Sequence, residues 1–213
     1  MSFFVSKPIS NNLPANTEII AFAYPFGEKE DCLESKKLLE RTKDAKKIGI
    51  TIVPDCGMGP GMNVTLGLLA MEQLDKPEHL RVWDGGLPLN PNPPWNYSLF
   101  FNINGLTNEY DGEAYFLKDS KIDKVPCFEG LEELEFESIG KLEAAVTSGG
   151  LSTMPWTYEG KLNTLENKTL RYPGHWDKMI AYRQLGLFSE KNIDFNGLGS
   201  SSIHFNDQIF LAN

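Results

Sequence analysis

EAYFLKDSKIDKVPCFEGLEELEFESIGKLEAAV, residues 113–146, is the stretch on which the fold class turns. It divides into EAYFLKD (113–119), KIDKV (121–125), EELEFES (132–138) and KLEAAV (141–146), short runs in which apolar and polar side chains alternate as on half-buried strands. Asp119-Ser120 and Gly140-Lys141 mark turns. Connections this short leave no room for crossovers, so several of these runs must pair antiparallel. LRVWDG (80–85) and YSLFFNI (97–103) share the texture and extend the predicted strands upstream.

Towards the N-terminus the pattern changes. TEIIAFAY (17–24) and IGITIVP (48–54) are β-branched apolar runs, and LESKKLLERTKDAKKIG (33–49) carries Leu33, Leu38, Leu39 and Ala45 at roughly helical spacing. This is one strand-helix-strand unit, with Gly49 placed to end the helix behind the basic Lys46 and Lys47. PDCGMGPGMNVTLGLLAMEQL (54–74) turns through three glycines into a helix that starts near Pro60 or Gly61, and its apolar residues from Met62 to Leu74 predict a well-buried one. Towards the C-terminus, LSTMPWTYEGKLNTLENKTLRY (151–172) leads to a helix that Pro173 begins and Gly186 ends. GLGSSSIHFNDQIFLAN (197–213) reads as a glycine-serine hinge and an amphipathic tail. The expected class is α+β, a mixed and largely antiparallel sheet covered by helices, preceded by a short α/β remnant. The boundaries fall at 1–56 for the remnant, 57–196 for the sheet domain and 197–213 for the tail.

Composition excludes several function classes. With 213 residues and 41% hydrophobic positions the chain can bury a sizeable core. A formal charge of −9 and the absence of a Lys/Arg-rich block argue against nucleic acid. No apolar stretch is long enough to span a membrane and the first residues do not read as a signal peptide, so a cytoplasmic protein is expected. Cys32, Cys56 and Cys127 are too widely spaced for a metal knuckle or a disulfide framework, and no metal site is expected.

Three constellations could carry chemistry. Gly57-x-Gly59-x-Gly61 joins a strand to a helix, as a dinucleotide phosphate loop would, but Met62 stands where the third fingerprint glycine belongs and no acidic residue ends a following strand. A tight turn explains the glycines alone; Asp55 and Cys56 before them suit either a ligand loop or, for the carboxylate, a helix cap. Lys168-Thr169-Leu170-Arg171-Tyr172-Pro173-Gly174-His175 is an extended run that delivers an arginine, a tyrosine and a histidine to a helix start. Arg171 could clamp a carboxylate and His175 exchange protons, or each could be structural. Thr147-Ser148-Gly149-Gly150 could expose amides as an anion nest or be a simple turn. Trp83, Trp95, Trp156 and Trp176, with Tyr158, could line a pocket or fill the core.

IGITIVPDCGMGPGMN (48–63), WDGGLPLNPNPPWNYSLFFNINGLTNEY (83–110), LEAAVTSGGLSTMPWTYEGKLNTLENKTLRYPGHWDKM (142–179) and LGLFSE (185–190) resemble, in order, signature segments of the saccharopine dehydrogenase-like family, nearest its lysine 6-dehydrogenase branch. The resemblance covers about residues 33–196, and D-C-G-x-x-P-G with T-L-R-Y-P-G-H is a specific combination. It implies hydride transfer between NAD or NADP and the C–N bond of an amino acid, in a homodimer whose substrate domain is built like the second domain of glyceraldehyde-3-phosphate dehydrogenase. By position it implies that Gly57, Pro60 and Gly61 face the nicotinamide. Cys56, Gly57, Gly149, Gly150, Arg171 and Tyr172 would bind the substrate, and Asp55 and His175 are the candidate bases. Family enzymes open with a G-x-G-x-x-G unit, and a complete nucleotide domain of βαβ units of about 30 residues each does not fit before Asp55. The expectation is therefore an enzyme part that needs a separate nucleotide-binding chain. The alternative is a non-catalytic dimeric module that binds an amino acid.

Overall fold

The computed structural model describes residues 3–6, 18–22, 40–53, 55–100, 103–188, 192–195 and 198–201. Strand β2 (Glu18–Phe22) pairs parallel with β3 (Ile50–Val53), and β1 (Phe3–Ser6) adds antiparallel to β2. Helix α1 (Thr42–Ile48) leads into β3, so the strand-helix-strand reading holds where it is described; residues 33–39 lie outside the described residues. Gly49 ends α1 at φ 73°, and its amide reaches the carbonyls of Ala45 and Lys46.

The main sheet is assembled around one long strand. It contains β4 (His79–Asp84), β5 (Glu113–Lys118), β6 (Lys121–Pro126), β7 (Glu132–Phe136), β8 (Gly140–Ala145) and β9 (Thr164–Arg171). β9 takes β4 parallel along one edge, from His79↔Thr164 to Asp84↔Thr169. Its other edge meets β5 near its start (Leu117↔Leu165) and β8 near its end, both antiparallel. The hairpins β5-β6 and β7-β8 complete the sheet, with Asp119 and Ser120 at φ 51° and 63° in the first turn. The mixed, largely antiparallel α+β architecture is the one read from residues 113–146.

Helices close both faces. Val64, Leu68 and Met71 of α2 (Met62–Met71) and Met154 of α4 (Met154–Tyr158) pack with Leu80, Leu117, Leu162 and Leu165 on one side. On the other, Leu106 of α3 (Ile103–Glu109) joins Tyr97, Tyr110, Phe128 and, from α5 (His175–Gln184), Trp176 and Met179. The side chains among these that are fully buried, such as Leu106, Leu165 and Met179, each stabilise the fold by roughly 1.5–3 kcal/mol.

Three sequence expectations need correction. YSLFFNI is not a strand: residues 97–100 form no regular element, and Ile103–Glu109 is helical. Tyr97 enters the aromatic core with Leu99 packed against it, and the helix that follows closes its own hydrogen bonds, Tyr110 N–H to Leu106 O at 3.1 Å among them. Helix α2 is buried on one face only. Met62, Leu66 and Leu69, at positions i, i+4 and i+7, are 56%, 58% and 51% exposed. The glycine-serine segment supplies β11 (Leu198–Ser201), paired antiparallel with β10 (Asn192–Phe195), and residues 202–213 of the tail lie outside the described residues. No described helix is long and apolar enough to cross a membrane.

Candidate functional site

Strand β9 builds the site through its period of two. Leu165, Asn167, Thr169 and Arg171 share one face; Leu165 enters the core and the next three turn their side chains into a cavity of about 350 Å³. β4 ends beside them, because parallel pairing puts Asp84 opposite Thr169. The glycine loop from Gly57 to Pro60, Gly85-Gly86, Tyr97, Glu109 at the end of α3, and Thr147, Ser148 and Gly150 after β8 complete the wall.

Arg171 is 3% exposed and tightly held. Its Nε donates to Tyr110 Oη at 2.9 Å, its Nη1 to Leu170 O at 2.9 Å, and its guanidinium lies 4.8 Å from the centre of the Tyr97 ring. Nη2 stands 3.9 Å from Glu109 Oε1, an ion pair without a hydrogen bond. Burial works against this charge, but Tyr110, Glu109 and Tyr97 outweigh it and hold the guanidinium protonated above its usual range. Burial also pushes the Tyr97 hydroxyl up to about 12.

The cavity holds two carboxylates. Glu109 Oε1 accepts from Thr147 Oγ1 at 3.4 Å and Thr169 Oγ1 at 3.2 Å, and those hydroxyls are 2.7 Å apart. Burial raises its pKa, with Arg171 and the threonines opposing. Asp84 Oδ1 accepts from Asn167 Nδ2 at 2.7 Å, and burial raises its pKa against Asn167 and Arg171. A methyl on Gly59 would sit 2.2 Å from Asp84 Oδ2, so the loop approaches this carboxylate as only glycine allows.

The residues expected from sequence divide into wall and support. Gly57, Pro60, Gly150 and Arg171 line the cavity; Asp55, Cys56, Gly61, Gly149, Tyr172 and His175 do not. Asp55 is buried and accepts a hydrogen bond from Ser152 Oγ. Cys56 is exposed, its Sγ donates to Val53 O, and burial and Asp55 raise the thiol pKa, which disfavours a thiolate. Tyr172 turns away and donates to Pro88 O at 3.0 Å. Gly149 takes φ 86° and accepts from Ser152 N. None of the four tryptophans reaches the wall: Trp176 is core, Trp95 and Trp156 pack on Tyr182 and Tyr115, and Trp83 bonds Glu132 on the surface.

His175 sits one side chain behind the wall. It is 1% exposed, and its Nε2 is 2.9 Å from Tyr110 Oη. Tyr110 accepts from Arg171 and so gives its proton to His175 Nε2, which requires a neutral imidazole. Burial, then Arg171, lowers the His175 pKa well below the usual 6.5, in agreement. The unfolded chain therefore takes up this proton first as pH falls through 6.5, and the stability held above that pH is lost below it. With His175→Asn, the stability gap to wild type should narrow by up to about 1.4 kcal/mol per pH unit below 6.5 in urea titrations. A gap independent of pH from 7 to 5 would show that His175 titrates normally.

Asp84, Tyr97, Glu109, Asn167 and Thr169 were missed. Alternation along ENKTLRY offered Asn167 and Thr169, and Asp84 closes a strand before two glycines; Glu109 and Tyr97 had no local signal, because packing of α3 and the preceding loop delivers them.

Residues 57–206 match the saccharopine dehydrogenase C-terminal domain family. Among solved structures, the fold is similar to that of apo histidine-tagged saccharopine dehydrogenase (L-Glu forming) from Saccharomyces cerevisiae, with a TM-score of 0.55 and 19% identity over 82% of this chain. The match takes in 41% of that chain, so this protein spans well under half of the relative's length. At that identity the likeness concerns the fold.

Proposed function

We propose, from the premise that this chain belongs to the saccharopine dehydrogenase C-terminal domain family, that it supplies the substrate-binding part of an NAD(P)-dependent oxidoreductase acting on the C–N bond of an amino acid. The observation that carries this reading is the buried, permanently charged Arg171 presented to the cavity, a partner suited to a substrate carboxylate. The charge balance favours the lysine 6-dehydrogenase type. Among the described residues the wall holds one guanidinium and two carboxylates, which suits a ligand with one carboxylate and two amino groups better than one with several carboxylates.

The nucleotide is a different matter. The amides of Gly57, Gly61, Met62 and Asn63 are engaged within the glycine loop, and Asp84 presses against Gly59, so these residues do not fit a pyrophosphate. A nicotinamide would act as hydride acceptor or donor; its holding site is assigned to a nucleotide-binding half outside the described cavity. The uncovered strip of Met58, Met62, Leu66 and Leu69 beside the loop gives that half an apolar surface to pack on. On this reading the protein works in the cytoplasm as a homodimer. The engagement of these glycine-loop amides equally supports a second reading, a dimeric module that binds an amino acid without catalysis.

The test is a titration of the purified protein with L-lysine by calorimetry, and with NADH and NADPH by fluorescence of its tryptophans and the cofactor. Lysine is expected to bind without cofactor, and turnover to appear only with a chain bearing G-x-G-x-x-G. Lysine binding that no such chain converts to turnover selects the binding module; no amino-acid binding at all overturns both readings.

A further inference from the structure

We propose that Glu109 takes the substrate's α-amino group, so that Glu109 and Arg171 together read a zwitterionic amino-acid head; this rests on the reading of Arg171 as the carboxylate partner. Two facts about the pair carry it. First, the pair is placed as a pair of ligands and not as a finished salt bridge. Nη2 and Oε1 stop at 3.9 Å, beyond hydrogen-bond reach, while Arg171 is fixed from behind by Tyr110 and Leu170 and Glu109 is fixed at Oε1 by Thr147 and Thr169. Among the described residues Oε2 of Glu109 has no hydrogen-bond partner, and the side chain is 23% exposed in a residue that lines the cavity. Second, the two groups lie within reach of one ligand head, 3.9 Å apart at the atoms of the ion pair. The nitrogen and the carboxyl carbon of an α-amino acid are about 2.5 Å apart through Cα. A carboxylate on Arg171 and an ammonium on Glu109 would then form a square of alternating charges with the protein pair.

That square explains why a carboxylate stands in a site built to bind a carboxylate. Alone, Glu109 repels the group that Arg171 attracts; against a zwitterion it contributes a second charge-assisted bond. A carboxylic acid without the amino group leaves the Glu109 charge facing its own, and is rejected. Glu109 is thus a specificity-determining residue. Asp84, held by Asn167 beside the glycine loop, is the second carboxylate of the wall and is not needed for the α-amino group.

Matched ligands on the full chain test this by calorimetry: L-lysine against 6-aminohexanoate, and L-2-aminoadipate against hexanedioate, each pair differing only in the α-amino group. On wild type the amino member of a binding pair is expected to bind roughly 10- to 100-fold more tightly, as for a hydrogen bond to a charged group. Glu109→Gln should remove most of that ratio, and Glu109→Asp should restore part of it while also showing the effect if the amide variant does not fold. Equal binding within each wild-type pair overturns the proposal and leaves Arg171 as the carboxylate partner. A ratio unchanged in Glu109→Gln overturns it too, making Glu109 a neutralising partner of Arg171 only. If no member of either pair binds to wild type, the Arg171 reading has failed, and this proposal with it.

Discussion

Arg171→Met is expected to abolish amino-acid binding and to destabilise the fold by roughly 3 kcal/mol, as removal of one partner from a buried ion pair does. The methionine fills much of the volume but leaves the Leu170 carbonyl without its donor, takes from Tyr110 the bond that orients its hydroxyl, and removes the cation stacked on Tyr97. It also strands Glu109. Burial already raises the pKa of that carboxyl against the opposing pull of Arg171, so losing Arg171 favours proton uptake and limits the damage. Arg171→Lys separates charge from shape: one ammonium cannot meet Tyr110, the Leu170 carbonyl and a ligand together, so binding should weaken at least about tenfold while stability changes less. Urea midpoints and calorimetry on both variants check this. Unaltered amino-acid affinity in Arg171→Met would remove the basis for a carboxylate site here.

Gly61→Ala should be nearly as damaging although it adds one methyl. The new Cβ would stand 2.1 Å from Gly57 O, 2.6 Å from Gly57 N and 2.8 Å from Asp55 O, at a backbone φ of 143° that L residues rarely adopt. All three obstacles are backbone, so no side chain can swing away and the turn itself must rebuild, pulling Gly57 and Pro60 from the cavity wall. The expected loss is about 3 kcal/mol or more, with weakened ligand binding. Gly49→Ala is the control. It also has positive φ, 73°, but meets nothing within 4 Å, so only the conformational cost of about 1 kcal/mol applies. Equal midpoints for the two alanine variants would mean that the glycine loop is not packed as described.

These effects trace back to residues with different visibility in the chain. The alternation of EAYFLKD and KIDKV, closed by Asp119-Ser120, specifies a hairpin because strand period and turn chemistry are local, and β5 and β6 follow it. Gly49 ends α1 for the same reason, since a left-handed terminus needs only the glycine and its own helix. Local chemistry also marked Arg171, which the alternation of ENKTLRY carries to the inner face of β9. The loop Gly57 to Gly61 was legible as a turn; that its amides would be engaged internally was not, because the partners include Asn63 on α2.

Other features depend on contacts between distant segments. YSLFFNI carries a strand-like alternation that the packing of Tyr97 and Leu99 into the aromatic core with Trp176 overrides, and Glu109 meets Thr147, Thr169 and Arg171 only because α3, β8 and β9 converge. His175 shows the limit most clearly. A histidine at a helix start after an arginine looks catalytic along the chain, yet burial behind Tyr110 makes it a neutral support and leaves the cavity to carboxylates from β4 and α3. Residue order carries the turns, the strand period and the arginine, because each acts over a few neighbours. Which charges face one another across the cavity is settled by packing, since burial and Coulomb interaction depend on distance in space and not on distance along the chain.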